Sequence, residues 1–399
     1  MVRTLSTSPQ TVDIVVGHAG SGKTTALDAY REAAERSGLQ IIGTAPSARA
    51  AKELQNGAGI ASITAARLTG SLRSGEVELT NRSVVVIDEA AMLGTKPLAT
   101  IVDYAACAGA KVICVGDSKQ LPEVDAGGLF SALARRTSPI WLTENRRQRD
   151  PAEQQALRDL RAGRVDAALG RLERNGNVTV AANSEQLRHT LVDDWYAARN
   201  QGKHALMAAP TRSDVAQLNQ LARQRLTADG LLAEPVLTTG TTEYAVGDRV
   251  VGLRNRYDLG ILNGDTGTVT GATANRGLRL KLDSGLDIDL PMSFLDEGHL
   301  AHGYATTVHK AQGMTCDVAF LLGDDGLFAE LGYTGLTRGR EANRLYTVRG
   351  AWDHGRGGDE TDELTHIKKA LSTSHAQTAA SDLLQSIDSV APKSKGVRI

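Results

Sequence analysis

One lysine, one threonine and two neighbouring carboxylates stand in this sequence at spacings suited to phosphate chemistry. Gly17 to Thr24 read GHAGSGKT, between the apolar run VDIVV and the helical pattern TALDAYREAAERSG. The order is strand, glycine-rich loop, helix start, and the loop fills the pattern G-x-x-x-x-G-K-[ST] at every fixed position. Glycines let the backbone N–H groups of Gly17, His18, Ala19, Gly20, Ser21 and Gly22 turn inward as a nest for phosphate oxygens. The helix beyond points its positive end at the same anion. Lys23 can then reach the β- and γ-phosphates, and the Thr24 hydroxyl can hold Mg²⁺, with Thr25 completing the set. A nucleoside triphosphate is the expected ligand.

The carboxylates follow a second apolar run. Arg82 to Leu93 read RSVVVIDEAAML, and VVVI is the short, continuous, β-branched pattern of a buried strand. Asp88 and Glu89 emerge at its C-terminal end, where ligands sit in open α/β sheets. Asp88 is suited to hold Mg²⁺ and Glu89 to orient or deprotonate an attacking water. Asp-Glu after an apolar run is common by itself. With the glycine loop it completes one hydrolytic site, which a small-molecule kinase would not need.

The elements that must position these groups are legible as alternation. From Val12 to about Leu142, the runs VDIVV, LQIIGT, SVVVID, KVICVGD and IWLT alternate with helical patterns. This predicts a parallel sheet with helices on both faces. Residues 1–150 form the first expected domain, and the polar, glycine-containing stretch 57–81 is expected as a small excursion from it. Charged helical sequence follows from Pro151 to Glu173, then HALMAAP and a helix through VAQLNQLARQRL. Between 246 and 296 the pattern changes to short alternating strands joined by Asn-Gly and Asp-Ser-Gly turns, the mark of a small antiparallel barrel. The α/β pattern resumes at Gly303. A β-module at 246–296 inserted in a second α/β domain, 151–245 with 297–352, is the economical arrangement. Residues 353–399 are expected as a peripheral helix spaced by Leu364, Ile367 and Leu371, with a frayed tail.

Composition bounds the partners. The chain has 399 residues, 41% hydrophobic and 23% charged, with a net charge of −1. There is no global basic field, so nucleic-acid binding must come from a local patch. Aromatics are only 4%, which argues against broad base-stacking platforms. Cys107, Cys114 and Cys316 lack metal or disulfide spacing; Cys107 and Cys114 read most simply as core residues. No stretch approaches 18 apolar residues and the N-terminus has no apolar leader, so a cytoplasmic protein with no membrane partner is expected.

Further polar clusters close other strand-like runs: VGDSKQLPEVD from Val115, LTENRRQRD from Leu142, HGYATTVHKAQGMTCD from His302 and YTGLTRGRE from Tyr333. Taken singly each has a plain structural reading. Arginine runs are usually solvated faces, His309 fits a structural histidine, and Thr-Arg in LTRGRE could start a helix.

Together and in this order, the clusters resemble the motif set of superfamily 1 helicases, and most closely the RecD-like group and the helicase part of TraI/TrwC-type conjugative relaxase–helicases. GHAGSGKT is similar to motif I, GTAPSARAAKEL to motif Ia, VVVIDEAAM to motif II and VGDSKQLPEV to motif III. LTENRRQ is similar to motif IV, YATTVHKAQG to motif V and YTGLTRGR to motif VI. GDRVVGLRNRYDLGILNGDTGTV resembles the SH3-like insertion of RecD-like enzymes. The resemblance covers about Thr11 to Arg349. It implies an α/β P-loop NTPase fold of two RecA-like parallel-sheet domains with an SH3-like β-barrel inserted in the second. It also implies ATP hydrolysis, 5′→3′ translocation on single-stranded DNA and unwinding at duplex junctions, with ATP and Mg²⁺ as cofactors. Carried over residue by residue, Lys23, Thr24, Asp88 and Glu89 keep the roles above. Gln120 senses the γ-phosphate, Arg147 and Arg338 meet it from the second half, and Gly313 adjoins the nucleotide. Pro46, Ser47, Thr64, Thr307 and His309 fall where the family touches the DNA strand.

Two positions depart from the family pattern. Little chain precedes Gly17, so Gln10 lies close to the loop for an adenine-contacting glutamine. Met314 and Thr315 follow Gly313, where some members carry a ribose-contacting glutamate. The sequence has no His-x-His cluster or tyrosine-rich nicking segment, so no relaxase domain is expected within these residues and nicking in conjugation would come from elsewhere. A relaxase or recombination protein is a candidate partner, and the chain as a piece of a longer relaxase–helicase stays open. Two other readings stay open: a nucleotide-dependent nucleic-acid-binding ATPase that unwinds nothing, and an RNA helicase.

Overall fold

A computed structural model describes residues 1–122, 127–240, 242–323, 326–349 and 364–377. The chain forms two compact units: Met1–Glu144 with the chain from His375, and Asn145–Ser374.

The first unit is built on six parallel strands: β1 (Val12–Gly17), β2 (Gln40–Ala45), β3 (Ser62–Thr64), β4 (Ser83–Ile87), β5 (Lys111–Gly116) and β6 (Ile140–Leu142). Their order is β3-β2-β4-β5-β1-β6. The five apolar runs of the sequence are all strands of this sheet. Alternate residues go to opposite faces, as a period of two requires. Ile14, Val16, Val85, Ile87, Val112 and Cys114 pack into one core. Val15, Val84, Val86, Ile113 and Val115 pack into another with Leu27, Tyr30 and Leu54 from the helices Lys23–Arg36 and Ala48–Ala58. Both faces are therefore covered, and that is why these strands read as continuous apolar runs.

The stretch 57–81 is not an excursion. It supplies β3, which extends the sheet beside β2, and the helix Ala65–Ser74, whose Leu68 and Leu72 are buried. Cys107 also corrects its sequence reading: it lies exposed on the helix Thr95–Ala108, while Cys114 and Cys316 are buried.

The second unit holds a parallel sheet of β7 (Val178–Ala181), β8 (Ala205–Ala209), β16 (Ala305–Thr307), β17 (Cys316–Gly323) and β18 (Gly339–Val348), in the order β16-β8-β17-β18-β7. Between β8 and β16 the chain forms antiparallel structure. A hairpin of β9 (Pro235–Thr239) and β10 (Thr242–Ala245) comes first. Then β11 (Arg249–Gly252), β12 (Thr266–Ala272), β13 (Leu278–Leu282), β14 (Asp287–Leu290) and β15 (Leu300–His302) form a sheet ordered β14-β13-β12-β11-β15. The β structure thus continues on both sides of 246–296. It has its own core of Tyr244, Val250, Ile261, Val269, Leu280 and Phe294, separate from the parallel-sheet core around Leu191, Trp195, Met207 and Phe320. The helix Thr365–Ser372 buries Ile367 and Leu371; of the segment 353–399 expected as helix and tail, 353–363 and 378–399 lie outside the described residues.

Candidate functional site

All strands of the first sheet are parallel, so their C-terminal ends share one edge. The glycine loop leaves β1 there, Asp88 and Glu89 leave β4, and Asp117 to Gln120 leave β5, which lies between them. The sequence motifs that were separate along the chain are gathered by strand order alone.

The loop's glycines have definite reasons. Gly20 and Gly22 take φ of 72° and 77°, the left-handed region that side chains disfavour. A Cβ on Gly17 would come within 2.5 Å of the Lys23 stem. That stem folds across the loop so that Lys23 Nζ donates to the Gly17 carbonyl at 3.1 Å. Ser21 is 9% exposed and its buried hydroxyl has no partner among the described residues. The same holds for the carboxamide oxygen of Gln120, 3% exposed. Buried polar atoms are normally satisfied: the Ser21 hydroxyl can donate to a phosphate oxygen, whereas the Gln120 carboxamide oxygen can only accept, for example from a water.

The Asp88 backbone N–H donates to the Thr44 carbonyl at 2.9 Å, and its side chain accepts from the Glu89 N–H at 2.9 Å. Burial pushes the Asp88 carboxyl up to about 7; the Glu89 charge adds to this and Lys23 opposes it. Glu89 is one of two non-glycine residues with positive φ among the described residues, at 49°. Its backbone starts the short 3₁₀ turn Ala90–Met92. Strain of this kind costs about 1–3 kcal/mol and concentrates at working sites.

A consequence is testable. In unfolded chain Asp88 would titrate near 3.8, and in the nucleotide-free fold it is raised to about 7. Folding therefore pays for an ionised Asp88 above pH 7 and for nothing below pH 4. Asp88→Asn should stabilise the nucleotide-free protein in EDTA at pH 8 by about 1–3 kcal/mol, after discounting each pKa unit's 1.4 kcal/mol for solvent screening. The gain should shrink as pH falls through 7 toward 5. Denaturant unfolding at both pH values checks this, and a gain that does not change with pH would exclude the electrostatic origin.

Arg147, Gly313 and Arg338 belong to the second unit, where the fold brings them together. Arg147 Nη1 donates to the Thr337 carbonyl at 2.8 Å. Arg338 is 2% exposed; its Nε donates to Thr334 O at 2.8 Å and its Nη2 to Thr337 Oγ1 at 2.7 Å. Arg338 closes the end of the helix Ala329–Gly335 rather than starting one. Its Nη1 also reaches Met314 O at 3.5 Å, next to Gly313. Gln148, next to Arg147, is buried and donates to the Gly339 carbonyl at 2.6 Å.

Ser47 and Thr64 cap helices at the same sheet edge in the first unit, accepting from Ala50 N and Arg67 N; Pro46 precedes Ser47. Thr307 caps the helix Val308–Ala311, which carries an exposed His309. A fourth cap, Thr211, was overlooked although its sequence signal was present. TRSD after an apolar run is a capping pattern, and Thr211 accepts from Asp214 N. The four caps form matching pairs. Ala45 sits opposite Thr64 across β2 and β3, and Ala209 opposite Thr307 across β8 and β16. In each unit the strand ending Ala-Pro-Ser/Thr pairs with an edge strand ending in a capping threonine.

Comparison with known proteins bears on this arrangement. A family model described as an AAA domain matches residues 1–183, and one described as a UvrD-like helicase C-terminal domain matches 302–346. The conjugal transfer protein TraA of Rhizobium radiobacter is 36% identical over 343 residues, covering 85% of this chain and 31% of that protein. The ATP-dependent RecD2 DNA helicase of Deinococcus radiodurans is 29% identical over 347 residues, covering 82% of this chain and 46% of that protein. The chain is a homologue of TraA conjugal transfer proteins and of RecD2 and RecD helicases. It spans about a third of the TraA length it matches. The chain also shares its fold with the Bacteroides Pif1 helicase solved with ADP-AlF3 and single-stranded DNA, at a TM-score of 0.60 and 19% identity, covering 98% and 96% of the two chains. No helix among the described residues is long and apolar enough to cross a membrane.

Proposed function

We propose that this chain is an ATP-dependent DNA helicase that moves 5′→3′ on single-stranded DNA and opens duplex at junctions. The observation that carries the proposal is the single sheet edge that gathers the phosphate loop, Asp88, Glu89 and the unpartnered Gln120. A nucleoside triphosphate fits the buried Ser21 hydroxyl, which can donate to a phosphate oxygen, and the attacking water fits the Gln120 carboxamide oxygen, which can accept from it. Lys23, Thr24 and Asp88 would hold ATP and Mg²⁺, the metal supplying charge neutralisation at the β- and γ-phosphates. Gly17 to Thr25 cradle the phosphates, Glu89 acts on the water, Gln120 senses the γ-phosphate, and Arg147, Arg338 and Gly313 act from the second unit. Pro46, Ser47, Thr64, Thr307 and His309 contact the strand. Thr211 joins them because it matches Ser47 in position and capping. Helix N-termini favour phosphate groups, and two in each unit suit a backbone-reading grip. In domain terms, 1–150 is the nucleotide-binding half, 151–245 with 297–352 the second, and 246–296 an SH3-like barrel. A cytoplasmic location is part of this reading, with a relaxase or recombination protein as the candidate partner.

ATP hydrolysis by the purified chain should rise several-fold with single-stranded DNA. Salt should weaken the stimulation because phosphate contacts release counterions. A 5′-tailed duplex should be opened and a 3′-tailed one left intact. Turnover indifferent to DNA and RNA would sink the translocase reading. Stimulation by RNA alone would favour an RNA helicase, and DNA stimulation with neither duplex opened would favour a non-unwinding ATPase.

A further inference from the structure

The inserted β-structure has a core of its own, yet it emerges from the parallel sheet of the second unit and returns to it at one place. Beyond its first hairpin, β11 pairs with the leaving strand β15, Val250 opposite His302. Gly303 crosses so close to β11 that a Cβ there would meet the Val250 carbonyl carbon at 3.0 Å. At this root lies Asp248, 0% exposed.

Every oxygen of that carboxylate is engaged. Tyr304 Oη donates to Oδ1 at 2.5 Å. Ala245 N donates to Oδ2 at 2.7 Å and Arg223 Nε donates to it at 3.2 Å. His302 Nε2 lies 3.7 Å from Oδ2 and meets the Glu243 carbonyl at 3.0 Å. Burial alone would raise this acid; the bonds from His302, Tyr304 and Ala245 hold it below the usual carboxylate range.

The donors come from three different bodies. Ala245 and His302 belong to the β-structure, and Arg223 to the helix Arg212–Ala228. Tyr304 immediately precedes β16. Its backbone N–H and that of Ala305 both donate to Asn219 Oδ1 at 2.8 Å. The rings form a ladder: Tyr244 lies 5.3 Å from His302, His302 6.1 Å from Tyr304, and Tyr304 5.9 Å from Trp195 in the parallel-sheet core. Beside this root a groove of about 910 Å³ opens, lined by Gln220, Arg223, Gln224, Thr242, Glu243 and His302. Helix and β-structure flank this groove, and Arg223 joins them through Asp248 and Glu243. Three residues beyond Tyr304 stands the capping Thr307.

We infer that Asp248 is a positioning residue: its bond to Tyr304 fixes the inserted β-structure to the strand that carries Thr307, so that movement at β16 is delivered to the β-structure as duplex opening. The inference rests on the helicase reading proposed above. Asp248 touches neither nucleotide nor strand in this scheme. Its loss should cost coupling rather than hydrolysis.

Tyr304→Phe keeps both ring contacts and removes only the O–H donor; Asp248→Asn keeps the shape and removes the charge. Tyr346→Phe is the control, since Tyr346 Oη makes the same kind of bond, 2.5 Å to Asp194 Oδ2, in the same parallel-sheet core but with no hydrogen bond to Asp248 or Tyr304 among the described residues. All three variants and the parent are assayed for DNA-stimulated ATP turnover, base pairs opened per ATP, and thermal unfolding. For Tyr304→Phe and Asp248→Asn, turnover should stay within about twofold while base pairs per ATP fall about tenfold, the population change expected from losing one hydrogen bond to a buried charge. Tyr346→Phe should lose stability to a similar degree with unchanged base pairs per ATP. If the parent opens duplex and the hub variants keep its ratio, or if Tyr346→Phe lowers it equally, the hub is only structural and the inference fails. If the parent opens no duplex, the helicase reading itself fails and takes the coupling with it.

Discussion

Glu89→Gln should bind Mg-ATP and scarcely hydrolyse it. The substitution keeps length and hydrogen-bonding capacity but removes the charge that orients or deprotonates the water, a contribution of about 10²–10⁴ in rate. The fold should tolerate the change, because the local structure depends on the Glu89 backbone: its carbonyl accepts from Met92 N at 2.9 Å and its N–H donates to Asp88. Its left-handed φ of 49° is equally awkward for glutamine. Removing this negative neighbour also relieves one of the two main causes of the raised Asp88 carboxyl. Metal-nucleotide affinity should therefore hold or improve below pH 7. Single-turnover hydrolysis and equilibrium nucleotide binding separate the effects. Parental turnover in the variant would show that another group acts on the water; lost binding would show that Glu89 helps hold the ligand.

The second large effect is expected at Arg338. Lys23 and Glu89 belong to the first unit and Arg338 to the second, so its removal reports on whether both units serve one nucleotide. A guanidinium is permanently charged and presents a fork of donors to phosphoryl oxygens. Arginines supplied in this way contribute about 10³–10⁵ in rate. Arg338→Ala should lose most turnover with nucleotide affinity only modestly weaker. Arg338→Lys should recover little, because a point charge lacks the fork. The residue's burial and its bonds to Thr334 and Thr337 mean that folding must be checked by thermal unfolding in both variants. Arg147 shares the Thr337 segment with Arg338, so the double variant should cost far less than the product of the singles. Near-parental hydrolysis in folded Arg338→Ala would confine the hydrolytic machinery to the first unit.

The phosphate loop was legible because its geometry is written in glycines and a lysine at fixed spacing, flanked by an unmistakable strand and helix. The first sheet was legible because strands covered on both faces read as unbroken apolar runs. The stretch 57–81 was misjudged for a physical reason. β3 is a three-residue edge strand, each residue only partly buried, so it shows neither a run nor an alternation. Thr211 was missed as a companion to Ser47 because the equivalence depends on strand order, with Ala209 opposite Thr307, and order is not visible along a chain. The Asp248 hub was beyond reading altogether: an aspartate in GDRV has no local sign of a tyrosine more than fifty residues away that will satisfy it. What sequence carries well is local chemistry and periodicity; what it hides is which ends meet.

The meeting of β11 and β15 also bears on how the chain acquires its structure. β16 lies beside β8 in the parallel sheet, although all of β9 to β15 intervenes between them in sequence. Closing so long a flexible loop is entropically unfavourable and slows contacts between its ends. The inserted β-structure is made of local hairpins with its own core, and once formed it holds β11 and β15 side by side. It then takes the span from β11 to β15 out of the search for β16. The second sheet is thus expected to wait in refolding for the inserted one, and the part of the chain most readily regarded as an ornament becomes the scaffold on which its host is completed.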